Sequence, residues 1–102
     1  MSESIFISVT TFVQRNATKF LANKLGEEMV MMNMESGDFI SMNNVGADIW
    51  ELSEQPISVG DIIQQLLKLY SISETQCREE TIQFLEMSKV QDIFIFNNSD
   101  AG

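Results

Sequence analysis

The sequence predicts an α+β domain of the winged helix-turn-helix kind, in which a three-stranded antiparallel β-sheet is followed by three α-helices. Two observations carry that expectation. Between Lys19 and Met42 the apolar residues alternate and are punctuated by Gly26 and Gly37. From Asn43 onward the period becomes helical, with serines placed as caps and one proline break. Length sets the scale: 102 residues make one domain with a single modest core.

Lys19 to Leu25 and Glu28 to Met34 read as a hairpin turned at Gly26-Glu27. Glu35-Ser36-Gly37-Asp38 supplies the next turn. Gly37 tolerates a positive φ there and Asp38 can close the turn with its side chain, and Phe39-Ile40-Ser41-Met42 follows as a third antiparallel strand. Val30, Met32 and Met34 share a face by the period of two, as do Ile40 and Met42 on theirs, so one side of the sheet can cover helices.

Asn43 or Asn44 caps a short helix with Val45, Ile49 and Leu52 at i, i+4 and i+7 and Trp50 beside them, ending near Ser53. Pro56 breaks the chain. Ser58 then caps a second helix with Asp61 at N3, and Val59, Ile62, Ile63, Leu66, Leu67 and Tyr70 form its apolar stripe. Ser73 caps a third with Gln76 at N3, and Ile72 is placed to staple against Cys77. On this helix Cys77, Thr81, Phe84 and Ser88 share one face, while Arg78, Ile82, Leu85 and Lys89 lie along its shoulder, which suggests two packing partners. Ile93 to Phe96 reads as a short strand or extended apolar segment. The chain therefore divides into an N-terminal arm (1–18), the folded domain (19–96) and a polar tail (97–102) that frays.

Composition excludes several functions. Six basic side chains face fifteen acidic ones, for a net charge of -9, and there is no histidine. Phosphate recognition rests on Lys and Arg, and the third helix itself carries Glu74, Glu79, Glu80 and Glu86 against Arg78 and Lys89, so nucleic acid is not an expected partner. Without histidine, and with Cys77 the single cysteine, neither a disulfide nor a Cys/His metal site can form within the chain. Cys77 reads as a small buried apolar residue, because Arg78 points about 100° away on a helix. Glu27, Glu28, Glu35, Asp38, Asp48, Glu51 and Glu54 are read as a solvated acidic surface rather than paired acids and bases. No catalysis, cofactor or metal is expected. The start Met1-Ser2-Glu3-Ser4 lacks a basic n-region and no apolar run approaches the roughly 20 residues that span a bilayer, so the expected setting is a reducing cytoplasm with no membrane partner.

The seven methionines stand out, since Met29, Met31, Met32, Met34 and Met42 all fall in the strands. Alternation forbids them all from pointing inward, so some of Met29, Met31 or Phe39 face elsewhere. If the strand Phe39 to Met42 pairs only with the one before it, its outer edge is open, and the third helix can lie alongside with Ile82 and Leu85 on its shoulder. An extended peptide can add there as a fourth strand. The competing reading is an edge covered by the arm, Ile5 to Val13, or by a second copy of the chain.

The stretch Met32-Asn33-Met34-Glu35-Ser36-Gly37-Asp38-Phe39-Ile40-Ser41-Met42-Asn43-Asn44-Val45-Gly46-Ala47-Asp48-Ile49-Trp50-Glu51-Leu52 resembles the PqqD family. Members of that family read leucine-aspartate-x-x-threonine-glycine, then strand residues, leucine-asparagine, valine-glycine-alanine and isoleucine-tryptophan. Ser58-Val59 through Tyr70 matches the family's next helix, and Thr81-Ile82-Gln83-Phe84-Leu85 its valine-x-x-phenylalanine-leucine helix, so the likeness spans about residues 19 to 96. Two positions depart from the pattern: Ser88 stands where the family has an apolar core residue, and Asp92 where it has a glycine, so Val90 is expected to take over the packing.

The resemblance implies a non-catalytic domain that binds the leader of a ribosomally synthesised, post-translationally modified peptide as an added strand between strand three and helix three, and presents it to modifying enzymes. It implies that Phe39, Ile40, Ser41 and Met42 supply backbone bonds and flanking side chains, that Arg78, Ile82 and Leu85 form the opposite wall, and that Glu79 and Glu86 pair with basic leader residues. The chain is similar to the stand-alone members. A lasso-type leader protease and cyclase is the expected recipient, with a radical S-adenosylmethionine enzyme as the alternative and a generic winged-helix interaction protein as a third reading. The expected state is a monomer or a weak or domain-swapped homodimer.

Overall fold

In a computed structural model of the chain the described residues are 6–26 and 28–98. The elements run β1 (Thr11–Arg15), β2 (Phe20–Leu25), β3 (Glu28–Asn33), β4 (Phe39–Met42), α1 (Asn44–Leu52), β5 (Ile57–Ser58), α2 (Val59–Leu69), α3 (Glu74–Ser88), a 3-10 turn at Lys89–Gln91, and β6 (Phe94–Asn98). The three expected strands and three expected helices are all present. The expectation of a single sheet is corrected, because the strands form two sheets of three, ordered β2-β3-β4 and β5-β1-β6, all antiparallel.

The second sheet is built from segments that carry little local signal. Thr11–Arg15, read from sequence as part of an arm, is its central strand, and β6 runs on through Asn97 and Asn98, which the sequence reading placed in a fraying tail. The Thr11 hydroxyl donates to Asn98 Oδ1 at 2.9 Å, and the Arg15 amide donates to the Ser53 carbonyl at 2.8 Å, tying β1 to the end of α1. Pairing across more than eighty residues cannot be read from a local period. The remainder of the expected tail, 99–102, and the first five residues lie outside the described residues.

In the β2-β3-β4 sheet Ile40 and Met42 face inward together as expected, while the inward set of β3 is displaced by one residue from the Val30, Met32, Met34 face. Met29, Met31 and Met42 are buried, with Met29 opposite Met42 and Met31 opposite Ile40, whereas Val30, Met32 and Phe39 lie on the outer face. Gly26 and Gly37 both adopt positive φ, as their turns require, while Glu27 lies outside the described residues. The second turn is closed by Asn33 and Ser36 rather than by Asp38: Asn33 Oδ1 accepts from the Glu35 and Ser36 amides, and Ser36 Oγ accepts from the Asp38 amide.

Each expected cap forms. Asn43 Oδ1 accepts from the Gly46 amide at 2.9 Å, Ser58 Oγ from Asp61 at 3.1 Å and Ser73 Oγ from Gln76 at 3.1 Å. Val59, Ile62, Ile63 and Leu66 bury the stripe of α2, and α3 buries Cys77, Thr81, Leu85 and Ser88. Phe94 is the aromatic hub, its ring 6.0 Å from both Trp50 and Phe84 and 6.4 Å from Phe96. Through it the second sheet braces α3.

Candidate functional site

β4 is the outer strand of its sheet, and among the described residues no strand pairs with its far edge. A row of backbone donors and acceptors is therefore available beside it. In the described N-terminal segment Thr11–Arg15 pairs in the other sheet and the Val9 carbonyl accepts from the Gly60 amide of α2 at 2.9 Å, so this stretch does not lie along the β4 edge. A cavity of about 220 Å³ runs between β4 and α3, with Ile40, Ser41 and Met42 on one side and Phe84, Met87 and Ser88 on the other. Asn43 and Ile93 also border it. Its wall is apolar apart from Ser41, Asn43 and Ser88, and two of these are committed: Ser88 Oγ donates to the Leu85 carbonyl at 2.7 Å, and Asn43 caps α1.

Phe84 owes its position to a glycine. A Cβ on Gly46 would meet Phe84 Cζ at 3.1 Å, so the ring lies on the bare backbone of α1 while its other side meets Phe94 edge-on. The valine-glycine-alanine stretch thus serves to seat the aromatic wall of the groove.

Of the residues assigned from sequence, Ile40, Ser41 and Met42 border the cavity. Phe39 belongs to the same strand, yet its side chain is 70% exposed on the outer face beside Leu21 and Met32. The residues assigned on the third helix do not border this cavity. Ile82 lies about 160° around α3 from Phe84, and Arg78, Glu79 and Glu86 share that far side. Leu85 is fully buried in the core, 0% exposed. Glu86 is held by Lys89 at 2.9 Å, and that bond keeps its carboxyl below the usual carboxylate range. Val90, expected to replace Ser88 in the core, is instead 87% exposed, and Ser88 is itself buried with its hydroxyl satisfied inside the helix.

The wall residues missed on sequence are Phe84 and Met87, with Asn43 and Ile93. The available signal was the Cys77, Thr81, Phe84, Ser88 face, recognised but assigned to packing. The core takes Leu85 together with Cys77, Thr81 and Ser88, and Phe84 and Met87, at the edge of that buried face, border the groove.

Beside the first cavity lies a second of about 120 Å³, bordered by Val45, Leu66, Tyr70, Cys77, Glu80 and Thr81 and, at the start of α3, Ile72. Tyr70 Oη donates to Asp48 Oδ2 at 2.6 Å, and this bond, with burial and the charge of Asp48, pushes the phenol up to about 12. Cys77 is buried and free. Among the described residues there is no cluster of His, Cys, Asp or Glu able to hold a metal, and no helix long and apolar enough to cross a membrane.

These features define a small α+β domain whose open strand edge faces a helix across an apolar cleft. Residues 28–92 match the model of the PqqD family, described as coenzyme PQQ synthesis protein D, and the chain belongs to that family. Among solved structures it is similar to "TbiB1 in Complex with the TbiA(beta) Leader Peptide", with a TM-score of 0.71 and 17% identity over 79% of this chain and 93% of that one. No curated protein matches by sequence.

Proposed function

We propose that this protein is a non-catalytic recognition element that binds the leader of a ribosomally synthesised, post-translationally modified precursor as a strand added to β4. One observation carries the reading: the unpaired edge of β4 faces an apolar cavity whose other wall is Phe84 and Met87 of α3. An extended peptide there satisfies its backbone on β4 and drops alternate side chains between sheet and helix. Family membership and the leader complex of the TbiB1 structure support it. In this reading β2, β3 and β4 are the wing of a winged helix-turn-helix, and the domain acts in the cytoplasm. None of the residues that border the cavity is a carboxylate, cysteine or lysine, so the cleft offers no acid, base or thiol nucleophile to a bound peptide.

The recipient in this reading is a lasso-type leader protease with its cyclase, and the protein's work is to raise the local concentration of precursor at that enzyme. A bound segment of roughly 8–10 residues sits at the low end of specific interfaces and must be ordered on binding, so affinity around micromolar is expected.

An amide-resolved NMR titration tests the groove, using the leader of a precursor encoded beside this chain's gene and a scrambled leader as control. Saturable shifts are expected at Ile40 to Asn43 and Phe84 to Ser88 with the true leader only. Met87→Glu charges an exposed lip and should weaken binding at least about tenfold, or 1.4 kcal/mol, whereas Glu79→Lys on the far side should leave affinity within about threefold. Shifts confined to Arg78, Ile82 and Glu86 would overturn the groove. Stimulation of leader cleavage by the neighbouring protease, lost in Met87→Glu, tests the recipient.

A further inference from the structure

The second cavity is not part of the strand edge, yet it continues the same face of α3. Phe84 and Ser88 border the first cavity, and Thr81 and Cys77, one and two turns toward the helix N-terminus, border the second. On the opposite side Met42 and Asn43 lead from β4 to Val45, which borders the second cavity. A peptide paired with β4 that continues past Met42 therefore passes over its mouth. We propose that this cavity is a second anchor subsite, which takes one aliphatic side chain of the peptide bound at β4, with a basic residue beside that anchor meeting Glu80. This inference rests on the strand-addition reading above and specifies which peptides satisfy it.

Size and chemistry select the occupant. The volume of about 120 Å³ is somewhat below that of a cavity known to admit benzene, about 150 Å³, so it accommodates one leucine, isoleucine or methionine side chain. Leu66, Val45, Ile72 and the Cys77 sulfur offer it apolar contacts. The polar groups nearby are oriented away from that role: Tyr70 Oη is bonded to Asp48, and the Thr81 hydroxyl lies 4.0 Å from Cys77 Sγ. Glu80 borders the cavity, receives a bond from Gln76 Nε2 at 3.0 Å, and keeps acceptor capacity for a lysine or arginine. The two subsites are about seven residues apart on α3, which is roughly 10 Å of helix, so an extended peptide, whose side chains alternate between faces, bridges them with anchors about two or four residues apart.

The test selects a phage-displayed library of random twelve-residue peptides on the full chain. Enriched peptides should share two apolar anchors at that spacing, with a basic residue near one of them. For a synthetic selected peptide, alanine at the second anchor should cost about tenfold to a hundredfold in affinity, as expected for withdrawing one buried aliphatic side chain. Thr81→Leu fills the cavity, so on this variant the same alanine change should cost less than about threefold. Glu80→Lys alters an exposed residue and should weaken peptides with the basic neighbour at least about threefold at low salt, but not those without it.

Equal alanine costs on the parent and on Thr81→Leu would overturn the subsite, as would enriched peptides with one anchor only. Should Thr81→Leu fail to fold, the Glu80→Lys comparison decides. Peptides that bind, lose affinity with Met87→Glu and ignore both Thr81 and Glu80 would refute this inference while leaving the β4 groove standing. If no peptide is enriched, the strand-addition reading itself falls, and the subsite with it.

Discussion

Asp92 holds a left-handed backbone, φ 59 and ψ 39, just after the helical turn that follows α3. That conformation explains why the family pattern has glycine at this position, and why aspartate, which tolerates the left-handed region better than most residues, can stand in. Its carbonyl accepts from Asn16 Nδ2 at 2.9 Å and its carboxylate meets Lys19 Nζ at 3.3 Å, so the substitution also ties the helix end to the β1–β2 connection. Tyr70 makes a pH prediction. Its folded phenol is raised to about 12 from an ordinary 10 by the bond to Asp48, so the neutral form is the one the fold favours. The stabilisation is complete below pH 10 and declines as pH rises through 12. Urea titrations should show the chain's advantage over Tyr70→Phe shrinking across that window and constant between pH 6 and 9. At Gly46 an added methyl would press on Phe84 Cζ at 3.1 Å, while the gain in helix propensity is at most about 1 kcal/mol. Gly46→Ala should therefore change unfolding free energy by less than about 1 kcal/mol, yet weaken leader binding several-fold in the NMR titration, because the displaced ring is the groove wall.

At the scale of elements, α1 matters for where it starts. Asn43 ends the strand edge, borders the peptide cleft and caps the helix through the Gly46 amide. Asn43→Ala should lower stability by about 1 kcal/mol in chemical denaturation, the usual value of a cap, with its amide and those of Val45 and Gly46 losing hydrogen-exchange protection first. The caps of all three helices were legible in the sequence because they are local: a side-chain oxygen reaches an amide three residues on. The facing of α3 was not legible. With Ile82 and Leu85 on one side and Cys77, Thr81 and Phe84 on the other, the period alone leaves two apolar stripes, and only the packing of the neighbouring elements decides that the core takes Leu85 from one and Cys77 and Thr81 from the other. The same ambiguity moved the inward face of β3 by one residue, since Val30, Met31 and Met32 are all apolar and the alternation has no polar marker.

For the molecule as a whole, the β1–β6 pairing joins the two ends of the chain and Phe94 transmits that closure to the groove. Phe94→Ala removes a buried ring that meets Trp50, Phe84 and Phe96. A loss of about 3–5 kcal/mol is expected for such a truncation, a large share of the 5–15 kcal/mol typical of a domain. Thermal unfolding followed by circular dichroism should show a marked fall in Tm. Below the transition, the leader should bind more weakly to this variant although residue 94 does not border the cleft. An unchanged affinity in the folded variant would mean that the second sheet does not brace α3.

The sequence by itself determined three strands and three helices between Phe20 and Ser88, the caps and the turn glycines, because each depends on residues within a few positions of one another. It also determined the family, through the order of short motifs around Val45-Gly46-Ala47 and Thr81 to Leu85. The tertiary structure decided what depends on distant segments meeting: that Thr11–Arg15 and Phe94–Asn98 form a sheet of their own, that Leu85 lies inside while Phe84 and Met87 face β4, and that two cavities follow one helix face. Local periodicity records that a side chain is apolar, but only packing settles which neighbour it is apolar toward.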